Sequence, residues 1–210
     1  HFLHFDPSKI SRHEQEKIRA SLAISPDTTI LLYLGSLCED YLLPQMMLLF
    51  RQILLDDPSA IFLLIANNGS ERVDQVCREL EVPLERIRVI SASREQVPLL
   101  ISLASLSVIF IRATVAKAGC SPTKLAELLA MNVPVIANSG VGDMDSIICL
   151  DSNGSRVVHD FEEATLRKAL HDVMAQQKMT QVDIRANSSH FDLPSGVSCY
   201  ASIYQQLLED

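Results

Sequence analysis

The sequence contains no tryptophan, few aromatic residues and no apolar run long enough to cross a bilayer. Its longest apolar stretches, around 30–34 and 97–111, are short or interrupted by serine. A membrane-spanning helix needs about 20 consecutive apolar residues. We therefore predict no transmembrane segment and expect a soluble protein. Because 48% of the 210 residues are apolar, the chain can still bury a full core.

The cysteines and histidines lack the spacing of a disulfide framework or a metal site. The five cysteines are odd in number, widely separated and include no Cys-x-x-Cys pair, as is typical of reduced thiols. The six histidines are also scattered, whereas metal sites need clustered ligands. We predict no metal and no cofactor. Reduced thiols favour a cytoplasmic parent protein, with the inner face of the membrane as the alternative location.

The chain also lacks a basic stripe. It carries 26 acidic and 18 basic residues, which leaves a formal charge of −8. Nucleic-acid binders gain much of their affinity when Lys and Arg neutralise phosphates, so we expect no nucleic-acid partner. Any bound phosphate is expected to belong to a small ligand that local geometry holds.

Short apolar runs alternate with amphipathic stretches, which predicts an α/β fold. The runs are rich in Ile, Val and Leu with little alternation, as in parallel strands buried on both faces. The predicted strands are 29–34, 61–66, 87–91, 107–111, 133–137 and 156–158. The predicted helices are 45–55, 71–80, 93–103, 121–131, 143–150, 162–177 and 193–208. This order favours a Rossmann-like, doubly wound parallel sheet of about six strands in one domain, 26–210, after a tether at 1–25.

The start of the predicted helix 121–131 is the most informative segment. Ser121 suits the N-cap and Pro122 the first helical position. The N–H groups of Thr123 and Lys124 then lie at the positive end of the helix dipole, which attracts an anion. The dipole opposes a lysine in this turn by ~0.3–1 kcal/mol, and a bound anion would reverse that sign. The alternative is that Lys124 only pairs with Glu127, three residues on.

Segment 121–137 resembles the helix-and-strand signature of the group 1, or family 4, glycosyltransferases, in a variant typical of bacterial enzymes. These enzymes have the GT-B fold. Other segments match their C-terminal domain in the right order over nearly the whole chain. They are 32–37 (first strand and glycine turn), 88–98 (strand and helix start that receive the base), 140–143 (glycine turn) and 2–10 (interdomain linker).

The resemblance implies a domain that binds a nucleoside-diphosphate sugar, with UDP or GDP as the nucleotide. The sugar, a hexose, would be transferred with retention and without a metal to an acceptor held by an N-terminal domain outside this sequence. A glycan or lipid-linked glycan is the expected acceptor, and the fragment alone is expected to be inactive. The last helix, within 192–210, would pack toward the missing domain, so Tyr200, Tyr204 and Leu207 are expected to be exposed here.

The resemblance also implies roles for single residues. The start of the helix at Ser121, with the N–H groups of Thr123 and Lys124 and the Lys124 ammonium, would hold the diphosphate. Glu127, which lies one turn further on, would accept the ribose hydroxyls. The main chain after the third strand would meet the base, and the first glycine turn would approach the phosphates, where a side chain would clash. The main-chain residues expected to meet the base are Val89, Ile90 and Ser91. The residues of the glycine turn are Gly35 and Ser36.

Two features depart from the family pattern. The loop 36–40 lacks the basic residue that often follows the first glycine turn. The first Glu of the family's Glu-x7-Glu motif falls at Gly119, and in the family that residue lies near the transferred sugar. Lys117 or Arg112 would have to replace it, and together with Lys124 they are the candidate catalytic residues. Two alternatives stay open: a nucleotide-sugar epimerase of the same fold, and a non-catalytic partner subunit, which Gly119 favours.

Two other classes of α/β protein fit poorly. A receiver or flavodoxin-like module needs acids or several hydroxyls after the first strand, where 34–37 supplies one serine. A dinucleotide-dependent oxidoreductase needs Gly-x-Gly-x-x-Gly directly after a strand, followed by an acid. Gly140-x-Gly142 lacks the third glycine and follows the fifth strand.

Overall fold

The computed structural model describes residues 2–179 and 182–209, and a six-stranded parallel sheet lies at its centre. The strands are β1 (Ile30–Leu34), β2 (Ile61–Ile65), β3 (Ile87–Ile90), β4 (Leu106–Ile109), β5 (Val135–Asn138) and β6 (Arg156–Val158). Their spatial order is β3-β2-β1-β4-β5-β6, which is the Rossmann order. The predicted doubly wound parallel sheet is therefore confirmed.

Helices cover both faces of the sheet. They are α1 (Arg12–Ser21), α2 (Leu43–Asp56), α3 (Ser70–Glu79), α4 (Val97–Ile101), α5 (Thr123–Ala130), α6 (Met144–Ile147), α7 (Leu150–Asn153), α8 (Glu163–Met179), α9 (Ile184–Asn187) and α10 (Leu193–Glu209). The predicted helix 93–103 is shortened to α4, and residues 93–96 form a turn in which the Gln96 N–H donates to the Ser93 carbonyl (3.0 Å). The predicted helix 143–150 is wrong as one element, since the extended backbone at Ile148 separates α6 from α7.

Two hydrophobic cores, one on each face of the sheet, explain the apolar strands. Phe62 and Leu64 of β2 enter the core formed with α2, α3 and α8. Their neighbours Ile61, Leu63 and Ile65 enter the other core, which α4, α5, α6 and α9 complete. Successive side chains of a strand point to opposite faces, so a strand covered on both sides needs apolar residues at every position. The ends of the strands are left as the places where polar function can lie.

The segment 1–25, predicted as a tether, packs on the domain over its described part. The sequence analysis did not predict α1, whose start carries a capping box between Ser11 and Glu14. Phe5 is fully buried and Phe2 nearly so, both in the core that contains α5. The role of this segment as a linker to a further domain stays a prediction.

Helix α10 presents an apolar face to solvent. Tyr200 is 68%, Tyr204 66% and Leu207 67% exposed, as the sequence analysis predicted. Packing of this face against another domain stays a prediction. Among the described residues, no helix is long and apolar enough to span a membrane.

The loop after β1 returns across the sheet and is fixed to the end of β4. Tyr41 and Ile111 form an antiparallel bridge, and the Arg112 N–H donates to the Asp40 carbonyl (2.8 Å). The buried amide of Asn138, at the end of β5, accepts from the Ile111 N–H (2.7 Å) and donates to the Ile111 carbonyl (2.9 Å). Asn138 of β5 therefore fixes Ile111, with which the loop after β1 is paired.

We expect Asn138→Ala to destabilise the domain by about 1–3 kcal/mol, because it leaves the buried N–H and carbonyl of Ile111 without partners. Urea unfolding followed by circular dichroism measures the change in free energy. The exposed Asn68→Ala is the matched control, with an expected change within about 0.5 kcal/mol. Equal stability of the two variants would show that the Asn138 bridge does not secure this edge.

Candidate functional site

The order of the strands places a crevice between β1 and β4, where the winding reverses. Two adjoining cavities lie at this carboxyl edge, with volumes of about 310 and about 350 Å³. The residues they share are Leu34, Gly35, Ala92 and Val97. The smaller one, here termed the β2 cavity, continues over the residues that follow β2. The larger one, termed the α5 cavity, reaches Thr123, Lys124 and Glu127.

A larger cavity, of about 670 Å³, lies at the opposite edge of the sheet, before β4, β5 and β6. The one guanidinium lining it, from Arg185, already donates to the main-chain carbonyls of Phe2, Phe5 and Ala130. Its cation thus serves to fix the N-terminal segment. The carboxyl edge is the better candidate because a helix start, a buried amine and a carboxylate converge there.

Helix α5 begins at Thr123, two residues inside the predicted range 121–131. Pro122 occupies the N-cap position, so the prediction that Ser121 caps the helix is wrong. The Ser121 hydroxyl instead points to Asp143, at 3.4 Å from Oδ2. Within the described chain, no side chain caps α5. The N–H groups of Thr123 and Lys124, in its first turn, therefore have no capping side chain and lie beside the α5 cavity.

The Lys124 amine is buried without a hydrogen-bond partner among the described residues. Less than 1 Å² of Nζ is exposed. It lies over two aromatic rings, 4.0 Å from the centroid of Tyr41 and 4.9 Å from that of Tyr33. Cation–π contacts stabilise a desolvated ammonium only in part, and a buried amine that makes no hydrogen bond carries a large desolvation penalty. This geometry favours a role for Lys124 beyond packing.

Burial lowers the pKa of Lys124 from 10.5 to about 8. Desolvation disfavours the charged amine and is the main cause. The nearby Cys38, Glu127 and Cys120 oppose it, but more weakly. A fall in pKa of this size corresponds to about 3 kcal/mol of disfavoured protonation. An anion in the α5 cavity would favour the charged form.

Gly35 allows the Lys124 side chain to occupy this position. Its φ of +139° is one that residues with a side chain rarely adopt. A Cβ at Gly35 would displace Lys124 Nζ, which is the end of a flexible side chain, so it is the φ angle that mainly disfavours a side chain here. Ser36 follows and lines the β2 cavity, and its carbonyl accepts the hydroxyl of Tyr33.

Glu127 lies on the same cavity and pairs with a cation that the sequence analysis did not assign. Arg94 Nη1 lies 3.1 Å from Glu127 Oε1, and the Glu127 side chain is only 14% exposed. Arg94 in turn stacks over the Phe5 ring at 5.3 Å, and its carbonyl contacts His4 Nε2 (2.9 Å). The N-terminal segment therefore reaches the rim of the α5 cavity through Arg94.

The predicted base-binding main chain lies beside the cavities and does not line them. Val89 and Ile90 belong to β3, where the Ile90 carbonyl accepts the Ala66 N–H (2.9 Å). The Ser91 hydroxyl donates to Asn67 Oδ1 (2.7 Å), so its contact with the β2 cavity is indirect. Ala92, which lines both cavities, is the residue after β3 that a ligand would meet first.

Lys117 and Arg112 do not lie with Lys124. Lys117 Nζ pairs with Asp40 at 3.0 Å, and this hydrogen bond raises the pKa of Lys117. Arg112 Nη2 donates to the Glu39 carbonyl (3.3 Å). Neither side chain lines the two cavities. Both cations secure the loop after β1, so the structure brings together Gly35, Lys124 and Glu127 but not these two.

Arg94, Tyr33 and Tyr41 are the residues at this edge that sequence reasoning left without a role. The hint for Arg94 is its position three residues after the third predicted strand, within 88–98. Tyr41 gives no sequence signal, because its ring is brought to Lys124 by the bridge with Ile111.

Within residues 2–179 and 182–209, no three His, Cys, Asp or Glu side chains come together as a metal site requires.

The sequence and the structure were compared with known proteins. A family model described as glycosyl transferases group 1 matches residues 14–189. A comparison with curated protein sequences finds no match. Among solved structures, the glycosyltransferase from Rickettsia africae ESF-5 matches with a TM-score of 0.75 and 15% identity, over 100% of this chain and 55% of that one.

Two further solved structures match closely in fold. Anabaena Alr3699/HepE in complex with UDP-glucose has a TM-score of 0.74 and 13% identity, over 100% of this chain and 55% of that chain. The C-terminal domain of the group 1 family protein LpcC from Francisella tularensis has a TM-score of 0.68 and 12% identity, over 91% and 98% respectively. The chain thus spans about half the length of the first two structures and nearly all of the isolated domain.

We expect Lys124→Met to stabilise the ligand-free protein by about 1–3 kcal/mol at pH 7, because it removes a buried amine without a hydrogen bond. The folded pKa of about 8 lies below the unfolded value of 10.5. The penalty is therefore complete below pH 8 and disappears as the pH rises to the unfolded value.

Urea unfolding of both proteins at pH 7, 9 and 10 checks this expectation. The advantage of Lys124→Met is expected to shrink as the pH rises. Lys17→Met, at an exposed position of α1, is the matched control with no expected gain. A Lys124→Met protein less stable than the wild type at pH 7 would mean that the amine is well satisfied.

Proposed function

Because the chain belongs to the group 1 glycosyltransferases, we propose that it is the donor-binding domain of such an enzyme. The donor is a nucleoside-diphosphate sugar with UDP or GDP as the nucleotide, and it binds at the carboxyl edge between β1 and β4. The proposal is supported by the Rossmann-like fold, by the cavities at the switch point and by the solved HepE structure, which is a complex with UDP-glucose.

The observation that carries the proposal is the Lys124 amine, which is buried without a hydrogen-bond partner beside the uncapped start of α5. An ammonium and a helix start both favour a negative charge between them. A diphosphate supplies that charge and the hydrogen-bond acceptors that Nζ lacks. Among the described residues the amine makes no hydrogen bond that would fix α5, so its polar contact is left for a ligand to supply.

The diphosphate lies in this proposal against the N–H groups of Thr123 and Lys124. Lys124 Nζ turns to it from the side of Gly35. When the bond between sugar and phosphate breaks, negative charge grows on the leaving diphosphate. Fixed N–H dipoles and an ammonium stabilise that charge without reorganisation, which is how such sites lower a barrier.

The rest of the nucleotide extends along the two cavities. Glu127, held by Arg94, accepts the ribose hydroxyls at the α5 cavity. The base lies near Ala92, and the β2 cavity, with Asn67 and Asn68 at its rim, offers amide groups to its polar edge. The main chain at Val89–Ile90 is engaged within the sheet, which shifts the proposed base contact toward Ala92.

Transfer of a hexose is a proposal for the whole enzyme, because the chain spans about half the length of the full-length structures it matches. The acceptor, a glycan or lipid-linked glycan, would be held by the domain outside this sequence. Retention and metal independence belong to the same proposal. The fragment alone is then expected to bind the donor without transferring its sugar.

A non-catalytic, donor-binding subunit is the second candidate. Gly119 stands where the family has a glutamate near the transferred sugar, and a Cβ there would meet no atom within 4 Å. Packing therefore does not require glycine, so the loss of the glutamate is not explained by the fold. A parent protein that binds the donor but transfers no sugar would favour this candidate.

Calorimetric titration with UDP, GDP, ADP and CDP tests the proposed donor site. We expect one nucleotide, UDP or GDP, to bind most tightly. Lys124→Ala is expected to weaken its binding about 10- to 100-fold, because a charge-assisted contact to the diphosphate is lost. Glu127→Ala is expected to weaken it about tenfold through the ribose contact.

Two controls match these variants. Lys17→Ala and Glu85→Ala change exposed residues away from the site, on α1 and before β3 at the opposite edge of the sheet, and should bind like the wild type. Binding that is insensitive to both Lys124→Ala and Glu127→Ala would place the nucleotide elsewhere. If none of the four nucleotides binds, the donor-binding proposal is wrong.

A further inference from the structure

Two tyrosines form an aromatic cage around the amine of the proposed donor site. The cage consists of Tyr33 and Tyr41, whose rings lie 6.0 Å apart at 66° to each other. Lys124 Nζ is 4.0 Å from the Tyr41 centroid and 4.9 Å from the Tyr33 centroid, with less than 1 Å² exposed. The amine therefore has ring faces as neighbours where an ammonium normally has water or an acceptor.

Backbone contacts fix both rings. Tyr33 belongs to the fully buried part of β1, and its hydroxyl donates to the Ser36 carbonyl. Tyr41 is held by its bridge to Ile111 at the end of β4. The positions of both rings are thus set by these backbone contacts and do not depend on the lysine. Lys124, on a flexible four-carbon stem, is the member that can move.

The rings and a diphosphate are competing partners for the same ammonium. A charge-assisted hydrogen bond to phosphate is stronger than a cation–π contact. The diphosphate would lie at the start of α5, which also carries Lys124, so the amine needs only a side-chain rotation to reach it. The cage therefore holds the amine when the site is empty and loses it when the site is filled.

We propose that Tyr41 is a positioning residue that holds the Lys124 amine in the ligand-free domain and yields it to the donor diphosphate, so that binding takes up a proton at alkaline pH. This inference rests on the proposed function. It adds how the Lys124 amine is held before the donor binds and how donor binding depends on pH.

In this proposal, titration of the Lys124 amine itself makes the nucleotide affinity depend on pH. Burial raises the pKa of Tyr33 and of Tyr41 above their usual value, so both stay neutral below pH 10. The pKa of Lys124 itself is lowered to about 8. The other titratable or charged groups that face Lys124 or the cage are Cys38, Cys120 and Glu127, with Arg72 beside Tyr33, Lys117 and Asp40 beside Tyr41, and Arg94 beside Glu127.

A ligand-free measurement tests the cage whether or not any nucleotide binds. In protein labelled with ¹³C-lysine, the Lys124 Cε–Hε signal is assigned through Lys124→Met. We expect this signal to be shifted upfield by the rings and to titrate near pH 8 in the wild type and in Tyr41→Phe, which keeps the ring. In Tyr41→Ala the upfield shift should shrink, and the midpoint should rise toward 10.5. Tyr41→Leu replaces the alanine variant if that variant does not fold.

The binding arm uses UDP and GDP as probes. With a midpoint near 8 in the free domain, wild-type affinity for the nucleotide that binds should fall about tenfold from pH 7 to pH 9. Tyr41→Phe should behave in the same way, and Tyr41→Ala should lose most of the fall. Cys38→Ser and Cys120→Ser, which remove the two nearby thiols, should keep it.

Each outcome has a distinct meaning. An ordinary Lys124 signal that titrates above pH 10 in the wild type, or signals unaffected by Tyr41→Ala, overturns the role of Tyr41. So does a fall in affinity that persists in Tyr41→Ala or disappears in either serine variant. If the ligand-free signals follow expectation but neither nucleotide binds, the cage stands as a structural fact, and both the donor-binding function and the proton uptake fail.

Discussion

The elements of the carboxyl edge of this domain meet around one buried amine. Lys124 Nζ is enclosed by the rings of Tyr33 and Tyr41 and by Gly35, which lacks the Cβ that would displace it. The turn after β1, the returning loop and the start of α5 therefore lie side by side at this point. The bridge at Ile111 and the Asn138 amide supply that constraint from β4 and β5.

This arrangement destabilises the ligand-free fold and provides a charged group that could bind an anion. A buried amine without a hydrogen bond destabilises the ligand-free fold, whereas an anion at the α5 start converts the same amine into a charge-assisted donor. Proteins often keep locally unfavourable groups at their functional sites. The dipole at the start of α5 adds to the unfavourable term, because it opposes a cation in the first turn. Both terms would change sign with a diphosphate bound, as proposed.

The sequence predicted the features that depend on local pattern. The six strands, the parallel order and the grouping of Gly35, Lys124 and Glu127 follow from apolar runs, from the switch point and from the family resemblance, which the family match confirms. The partners of these residues depend on contacts between distant segments. Arg94 reaches Glu127 across 33 positions, and Tyr41 meets Lys124 only because its loop pairs with the end of β4. No spacing in the sequence encodes either contact.

The distribution of charge at this edge explains why one lysine matters. The chain carries a net charge of −8, so its overall field repels a diphosphate. Lys117 is paired with Asp40 and Arg94 with Glu127, which leaves Lys124, alone of these three cations, without an acidic partner. Attraction must therefore act at short range, where low dielectric strengthens it and salt screens it little. Burial of Lys124, which weakens the ligand-free fold, is also what makes its charge effective against a bound anion.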